Sequence, residues 1–197
     1  MEKKMGFINS VKGKILMGFI LAAIVFVSFN GQANMTHYTM AVWLHVAAGV
    51  LWIGLLYYFN FVQVPGMGQA LADKEGPGPA AIGKYIAPRA LLWFRMAAAT
   101  TWILGLVLLA LQSRGMDGIM GAFTFAKGYQ IIGIGAWMGT VMAFNVWFII
   151  WPNQQKILGM KSATDGEIAT AKKNAALASS INVILSVPML LTMIAWH

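Results

Sequence analysis

The sequence contains no cysteine among its 197 residues. Without a thiol, the chain forms no disulfide, no thiolate metal site, no iron–sulfur cluster and no covalently attached c-type haem. Charged residues are also scarce, at 10% of the chain, whereas hydrophobic residues make up 59%. A soluble domain of this length needs far more polar surface. These shortages indicate an integral membrane protein that has the lipid bilayer as its solvent.

Acidic residues are the scarcest charged group, with six Asp and Glu against 14 Lys and Arg, and the formal net charge is +8. A basic excess is also typical of nucleic-acid binding. Here, however, the basic residues flank apolar runs, which is the pattern that membrane topology produces. We therefore expect no nucleic-acid partner. The apolar runs contain no carboxylate, which argues against a carboxylate-based proton relay.

Five apolar runs are long enough to consider as membrane spans. They cover residues 15–29, 39–64, 88–111, 128–151 and 175–196. A helix needs about 20 residues to cross a bilayer, and the last four runs approach or exceed that length. The sequence therefore predicts an all-α fold, an integral membrane bundle of about five transmembrane helices that forms a single membrane domain over residues 1–197.

The first run is shorter and follows a basic flank that includes Lys12 and Lys14. A small-residue cleavage site ending at Ala33 would complete the pattern of a secretory signal peptide. We expect a retained, signal-anchor-like helix, and a cleaved signal peptide is the alternative.

Basic residues also predict the orientation of the spans. They are concentrated in or beside the second and fourth connections, at Lys74, Lys84, Arg89, Lys156, Lys161, Lys172 and Lys173. The positive-inside rule then places the N-terminus in the cytoplasm and His197 on the far side of the membrane.

Four of the runs each carry a polar residue that hydrocarbon normally excludes: His45, Arg95, Asn145 and Asn182. Such residues are costly in lipid, so they usually face the interior of a bundle and mark a site. With alternating helix directions, His45 falls near the outer side of the membrane. The other three fall near the inner side.

The outer group is a candidate haem site. Gly49 follows His45 after one helical turn and would let a flat macrocycle lie against the helix, which suits an axial ligand of a b-type haem. His197, at the end of the last span, is the other candidate ligand. The alternative is that His45 only forms a hydrogen bond to a neighbouring helix.

The inner group is a candidate substrate site. Arg95 would supply charge and a fork of donors, and the amides of Asn145 and Asn182 would recognise a planar, polar or anionic molecule or a quinone. Asn60 and Gln63 lie slightly lower on the second span. The alternative is that the asparagines join helices while Arg95 extends toward cytoplasmic water.

Several segments resemble a known family. Residues 43–54, WLHVAAGVLWIG, resemble the first helix of the membrane domain of bacterial urate hydroxylases, the cytochrome-c-linked urate oxidases. Residues 93–95 and 101–105 are similar to that family's Trp-Phe-Lys and Thr-Trp-Leu-x-Gly segments. The most specific match is residues 135–146 with 150–156, GAWMGTVMAFNV and IWPNQQK. A closing pattern of Asn182, Pro188, Met193 and His197 is also similar.

The resemblance implies an all-helical membrane oxidoreductase that passes electrons to a c-type cytochrome. This chain would be a compact variant: it has an extra N-terminal span, it lacks helices that full-length members have between the third and fourth spans, and it contains no cysteine for an attached cytochrome. Gly133 and Ile181 stand where the family has histidines, and Arg95 stands where it has a lysine.

We therefore expect a redox-associated membrane protein, with haem b at His45 as its one candidate cofactor. It would pass electrons to a c-type cytochrome or a larger oxidase or respiratory complex. Whether it is an enzyme is left open by the sequence. The alternative, favoured by the two replaced histidines, is a non-catalytic structural or assembly subunit of a membrane complex.

Overall fold

The computed structural model describes residues 7, 9–28, 36–112 and 115–196. All regular secondary structure in these residues is helical, which confirms the all-α prediction. There are six helices. They are α1 (Val11–Ser28), α2 (His37–Ala72), α3 (Ile82–Gln112), α4 (Met116–Phe123), α5 (Gln130–Ile157) and α6 (Asp165–Ile194).

Five of the six helices, all except α4, are long and apolar enough to cross a membrane. They contain between 18 and 36 residues, and this finding confirms the predicted number of spans. The short helix α4 was not predicted and lies in the connection before α5. Each of the five long helices extends past its apolar run: α1 begins at Val11, α2 continues to Ala72, α3 begins at Ile82, α5 continues to Ile157 and α6 begins at Asp165.

The chain forms two compact units, Met1–Thr39 and Met40–His197. In the first unit, Ser10 precedes α1, and its hydroxyl accepts a hydrogen bond from the Gly13 N–H at 3.0 Å. This is the N-cap interaction that satisfies a free amide at a helix start. The single-domain prediction for residues 1–197 and the question of signal-peptide cleavage are not tested by these features.

In the second unit, helices that follow one another in the chain run antiparallel. Asn182 of α6 bonds Met142 of α5, whereas Thr192, further along α6, faces Gly135, earlier on α5. Contacts between α2 and α3 and between α3 and α5 follow the same order. The direction of the helices therefore alternates, so α2 runs parallel to α5.

Helices α5 and α6 approach each other closely because small residues line their contact. A Cβ placed on Gly135 would lie 2.6 Å from Oγ1 of Thr192, and one on Gly139 would lie 3.6 Å from Sδ of Met189. Helix α6 also carries three buried alanines: Ala171, Ala175 and Ala178. Small residues at such a contact are what close helix packing in membranes requires.

Helix α2 instead packs through large side chains. Trp52, Leu56 and Phe59 are buried along one face. The Phe59 and Phe94 rings meet edge to face, with centroids 5.4 Å apart, and so join α2 to α3. His45 lies seven residues before Trp52, and Gln63 lies seven residues after Leu56. The two residues therefore extend this face at its two ends.

Each of three π-helical stretches ends two residues before a proline. They are Tyr58–Gln63 in α2, Ile82–Ile86 in α3 and Asn145–Ile150 in α5, and they precede Pro65, Pro88 and Pro152. Proline has no N–H, and its ring clashes with the carbonyl four residues earlier. A π turn relieves that clash without ending the helix. The three helices therefore continue through their prolines.

Candidate functional site

His45 lies on α2, half-buried, and faces α3. Its Nδ1 is 2.9 Å from the carbonyl oxygen of Thr101. A carbonyl oxygen can only accept a hydrogen bond. Nδ1 therefore carries the proton and donates the hydrogen bond to the Thr101 carbonyl oxygen. In a neutral imidazole, Nε2 then holds the free lone pair. Metal-binding histidines are held in the same way, by a hydrogen bond from the nitrogen that does not bind the metal.

Two glycines lie beside this contact. A Cβ on Gly105 of α3 would lie 3.2 Å from Cε1 of His45, so this glycine makes room for the imidazole. A Cβ on Gly49 would lie 3.7 Å from Cγ2 of Thr101, which is an ordinary contact distance. Gly49 therefore faces α3, and its predicted role in haem binding stays a prediction.

Of the two histidines that the structure describes, His45 is half-buried and His37 is exposed. The described part of the chain contains no group of three or more His, Cys, Asp or Glu residues placed to hold a metal ion. His197, the second predicted haem ligand, lies outside the described residues. The donor set that remains, one imidazole with a fixed Nδ1 proton, fits a haem with one axial protein ligand.

At Gly133, the packing of α4 against α5 leaves no room for a side chain. A Cβ at this position would overlap the carbonyl oxygen of Ala122, at the end of α4. Helix α4 thus packs its backbone against α5 at the position where the family resemblance expects a histidine. Any side chain at position 133 would require α4 to move.

Asn145 and Asn182 meet in the interior of the bundle, where their exposures are 6% and 0%. The Asn145 Nδ2 donates to Oδ1 of Asn182 at 2.8 Å, and the Asn182 Nδ2 donates to the Met142 carbonyl at 3.0 Å. These two bonds occupy both polar atoms of the Asn182 amide. The pair joins α5 to α6, and its role in substrate binding stays a prediction.

The same face of α6 bonds α2. Asn60 donates to the Ser179 hydroxyl at 2.8 Å, and the hydroxyls of Tyr57 and Ser186 are 2.9 Å apart. Ser179, Asn182 and Ser186 therefore form one polar stripe between α2 and α5. Sequence reasoning missed the two serines, although their spacing of three and four residues from Asn182 is a helical signal.

Arg95 lies against two tryptophans of α5. Its guanidinium carbon is 3.7 Å from the centroid of the Trp151 ring, and its backbone carbonyl accepts a hydrogen bond from the Trp147 Nε1 at 3.1 Å. A guanidinium stacked in this way gains about 0.5–2 kcal/mol from the π face. Arg95 is therefore held at a fixed position between α3 and α5.

Three buried polar atoms have no hydrogen-bond partner among the described residues: Nε1 of Trp52, Oε1 of Gln63 and Nη1 of Arg95. Most buried polar atoms are paired, because a buried unpaired group costs about 1–3 kcal/mol. Two of the three, on Gln63 and Arg95, lie in the C-terminal half of α2 and the N-terminal half of α3. Sequence reasoning placed Gln63 near this level but did not include it in the site.

Comparison with known proteins gives one family. Residues 118–197, which hold most of α4 and all of α5 and α6, match the model of a family described as urate oxidase N-terminal. No curated protein and no solved structure matches the chain. For residues 118–197, the match confirms the predicted resemblance to the membrane domain of the urate hydroxylase family.

Proposed function

We propose that the protein is a redox-associated membrane subunit that holds one b-type haem through Nε2 of His45. The observation that carries this proposal is the 2.9 Å contact between Nδ1 of His45 and the Thr101 carbonyl. It fixes the proton on the nitrogen that faces α3, so the other nitrogen is available as a ligand. A bound haem would supply a one-electron carrier.

Residues of α2 and α3 would set the properties of this ligand. The Thr101 carbonyl orients the ring by accepting a hydrogen bond from Nδ1–H, and Gly105 allows the ring to approach α3. Helix α2 presents His45 near its outer end, two turns into the helix. Electrons would pass from this level to a c-type cytochrome or a larger membrane complex on the periplasmic side.

The proposed location is the bacterial inner membrane, with the N-terminus in the cytoplasm. The five apolar helices support the membrane location. The distribution of lysines between the connections supports the orientation. A cysteine-accessibility assay tests it, because the chain has no natural cysteine: Lys161→Cys should react only after the membrane is permeabilised, and labelling of intact cells would reverse the orientation.

The haem proposal is tested by the visible spectrum of the purified full chain after expression with sufficient haem. We expect a Soret band that is lost in His45→Ala. His37→Ala is the matched control, since His37 lies at the exposed start of the same helix, and it should keep the band. A folded but colourless wild-type protein, or a band that survives His45→Ala, would contradict the proposal.

A second function, a non-catalytic structural or assembly subunit, is favoured by the packing at Gly133. The backbone of α4 fills the space that a side chain at position 133 would need. The amides of Asn145 and Asn182 form their hydrogen bonds to each other and to the Met142 carbonyl. Both features serve packing. This function predicts a colourless protein that co-purifies with a membrane complex and whose deletion lowers the amount of that complex.

A further inference from the structure

Gln63 and Arg95 carry the unpaired polar atoms that none of the preceding contacts uses. Gln63 is 8% exposed, and its Oε1 is buried without a partner. Nη1 of Arg95 is also buried without a partner, although the guanidinium is stacked on Trp151. One atom is an acceptor and the other is a donor.

The heights of the two side chains in the bundle can be inferred from the contact between Phe59 and Phe94. Helices α2 and α3 are antiparallel and touch where Phe59 meets Phe94. Gln63 follows Phe59 by one turn, and Arg95 is the residue after Phe94. Because helical side chains lean toward the N-terminus of their own helix, Gln63 leans outward from the inner end and Arg95 leans inward. Their polar ends therefore converge in height.

Arg95 has no carboxylate partner among the described residues. The one ion pair in the described part of the chain joins Lys156 to Glu167, so no carboxylate there neutralises the guanidinium. Stacking on Trp151 and the bond from Trp147 to the Arg95 carbonyl restrict its movement. A fixed donor that needs no reorganisation is what a binding site requires.

The surroundings define the chemistry of the ligand. Phe59, Leu91 and Phe94 are buried apolar residues next to the two polar groups. A fitting ligand is aromatic, accepts from Arg95 and donates to Gln63. The hydroxyl of a hydroquinone does both with one group, since its oxygen accepts while its O–H donates.

Access from the bilayer favours a lipid-soluble molecule. Leu92, Trp93 and Met96, on both sides of Arg95 in the sequence, are exposed on α3 and form apolar surface that lipid covers. A quinol dissolved in the bilayer reaches this level directly, without crossing the polar loops.

We propose that Gln63 and Arg95 form a binding site for the hydroquinone headgroup of a lipid-soluble quinol. The inference concerns binding, and it does not depend on haem at His45, which lies five turns earlier on α2. The site takes Arg95 from the predicted inner group but replaces the asparagine pair with Gln63.

The test uses the purified full chain in phosphatidylcholine nanodiscs, with decylubiquinol as the probe and tryptophan fluorescence as the signal. We expect saturable binding by the wild type. Gln63→Leu, which keeps the size of the side chain, should weaken it about tenfold, and Arg95→Gln should weaken it by about tenfold to a hundredfold.

Matched controls lie on the same two helices. Gln69→Leu on α2 and Arg89→Gln on α3 change exposed residues of the same types and should leave the dissociation constant within twofold of the wild type. If Arg95→Gln does not fold, Gln63→Leu alone decides the question. Absence of saturable binding by the wild type, or equal weakening by the control variants, would overturn the proposal.

Two further measurements test whether the site is independent of haem and selective for a quinol. His45→Ala should bind the quinol with unchanged affinity, even when it has lost any Soret band. Loss of quinol binding in that variant would overturn the independence of the site. Urate, which carries adjacent N–H and C=O groups in a water-soluble ring, should not compete with the quinol. Full displacement of the probe by urate would show that a purine, and not a quinol, fits the site.

Discussion

The α5–α6 contact and the α2–α3 contact are built in different ways. Between α5 and α6, small residues bring the backbones together, and the buried amides of Asn145 and Asn182 bond each other. Between α2 and α3, the aromatic rings of Phe59 and Phe94 meet edge to face, and polar atoms on Gln63 and Arg95 are left unpaired. The buried amides at the first contact are paired with each other. At the second contact, the unpaired atoms of Gln63 and Arg95 are the ones that we propose bind a ligand.

The largest expected effect comes from filling a glycine position on α5. Gly133→Val should lower the free energy of unfolding by about 3 kcal/mol, because any Cβ there overlaps the Ala122 carbonyl and backbone cannot easily move away. The measurement is equilibrium unfolding in mixed detergent micelles.

Gly54→Val on α2 is the control for this change, since no atom lies within 4 Å of a Cβ at position 54. It should change stability by less than about 1 kcal/mol. Equal losses in the two variants would mean that α4 and α5 are not in close contact.

An intermediate effect is expected from opening the polar contact between α5 and α6. Asn182→Leu leaves the Asn145 Nδ2 and the Met142 carbonyl without their partner. We expect a loss of about 1–2 kcal/mol in the free energy of unfolding, the range of interhelical hydrogen bonds in membranes.

The double variant Asn145→Leu/Asn182→Leu sharpens that test. Because it removes both members of the pair, it should be less destabilised than the sum of the two single variants, with a coupling of about 0.5–1.5 kcal/mol. Strict additivity in a double-mutant cycle would show that the two amides do not interact.

The smallest effect compares a paired indole with an unpaired one. Trp147→Phe removes the donor to the Arg95 carbonyl, whereas Trp52→Phe removes a buried N–H that has no partner. Both variants lose the same atoms, so the first should be less stable than the second by about 1 kcal/mol. The reverse order in thermal unfolding would indicate that the Trp52 N–H has a partner in the membrane-embedded protein.

The sequence was enough to predict the long helices and the inward position of the asparagines. Apolar runs of membrane-spanning length leave few alternatives to helices, because every backbone group must be paired within lipid. Asn145 and Asn182 were predicted to face the interior for the same reason, and their mutual hydrogen bond lies there. These features follow from composition and depth.

The helix ends and the binding geometry did not follow from composition. Residues 65–72, which hold a proline and two glycines, and residues 165–174, which hold four charged side chains, fall outside the predicted apolar runs, yet they continue α2 and α6. In α6 the continuation is supported by a capping box between Thr164 and Glu167. The stacking of Arg95 on Trp151 joins residues 56 positions apart, and no local pattern encodes it. Gln63 is buried within a π-helical stretch, which hydropathy does not predict.

The π turn in α2 also separates the helix into two registers. One extra residue in a turn rotates everything after it by about 100° relative to an uninterrupted α-helix. The side chains beyond Tyr58–Gln63 are therefore aimed independently of those before it, although the backbone is continuous. Deleting a single residue from this stretch would leave His45 in place and rotate the C-terminal part of α2 by about 100°. A change of one residue in this stretch can therefore alter which side chains after Gln63 face the bundle without moving the contacts of His45.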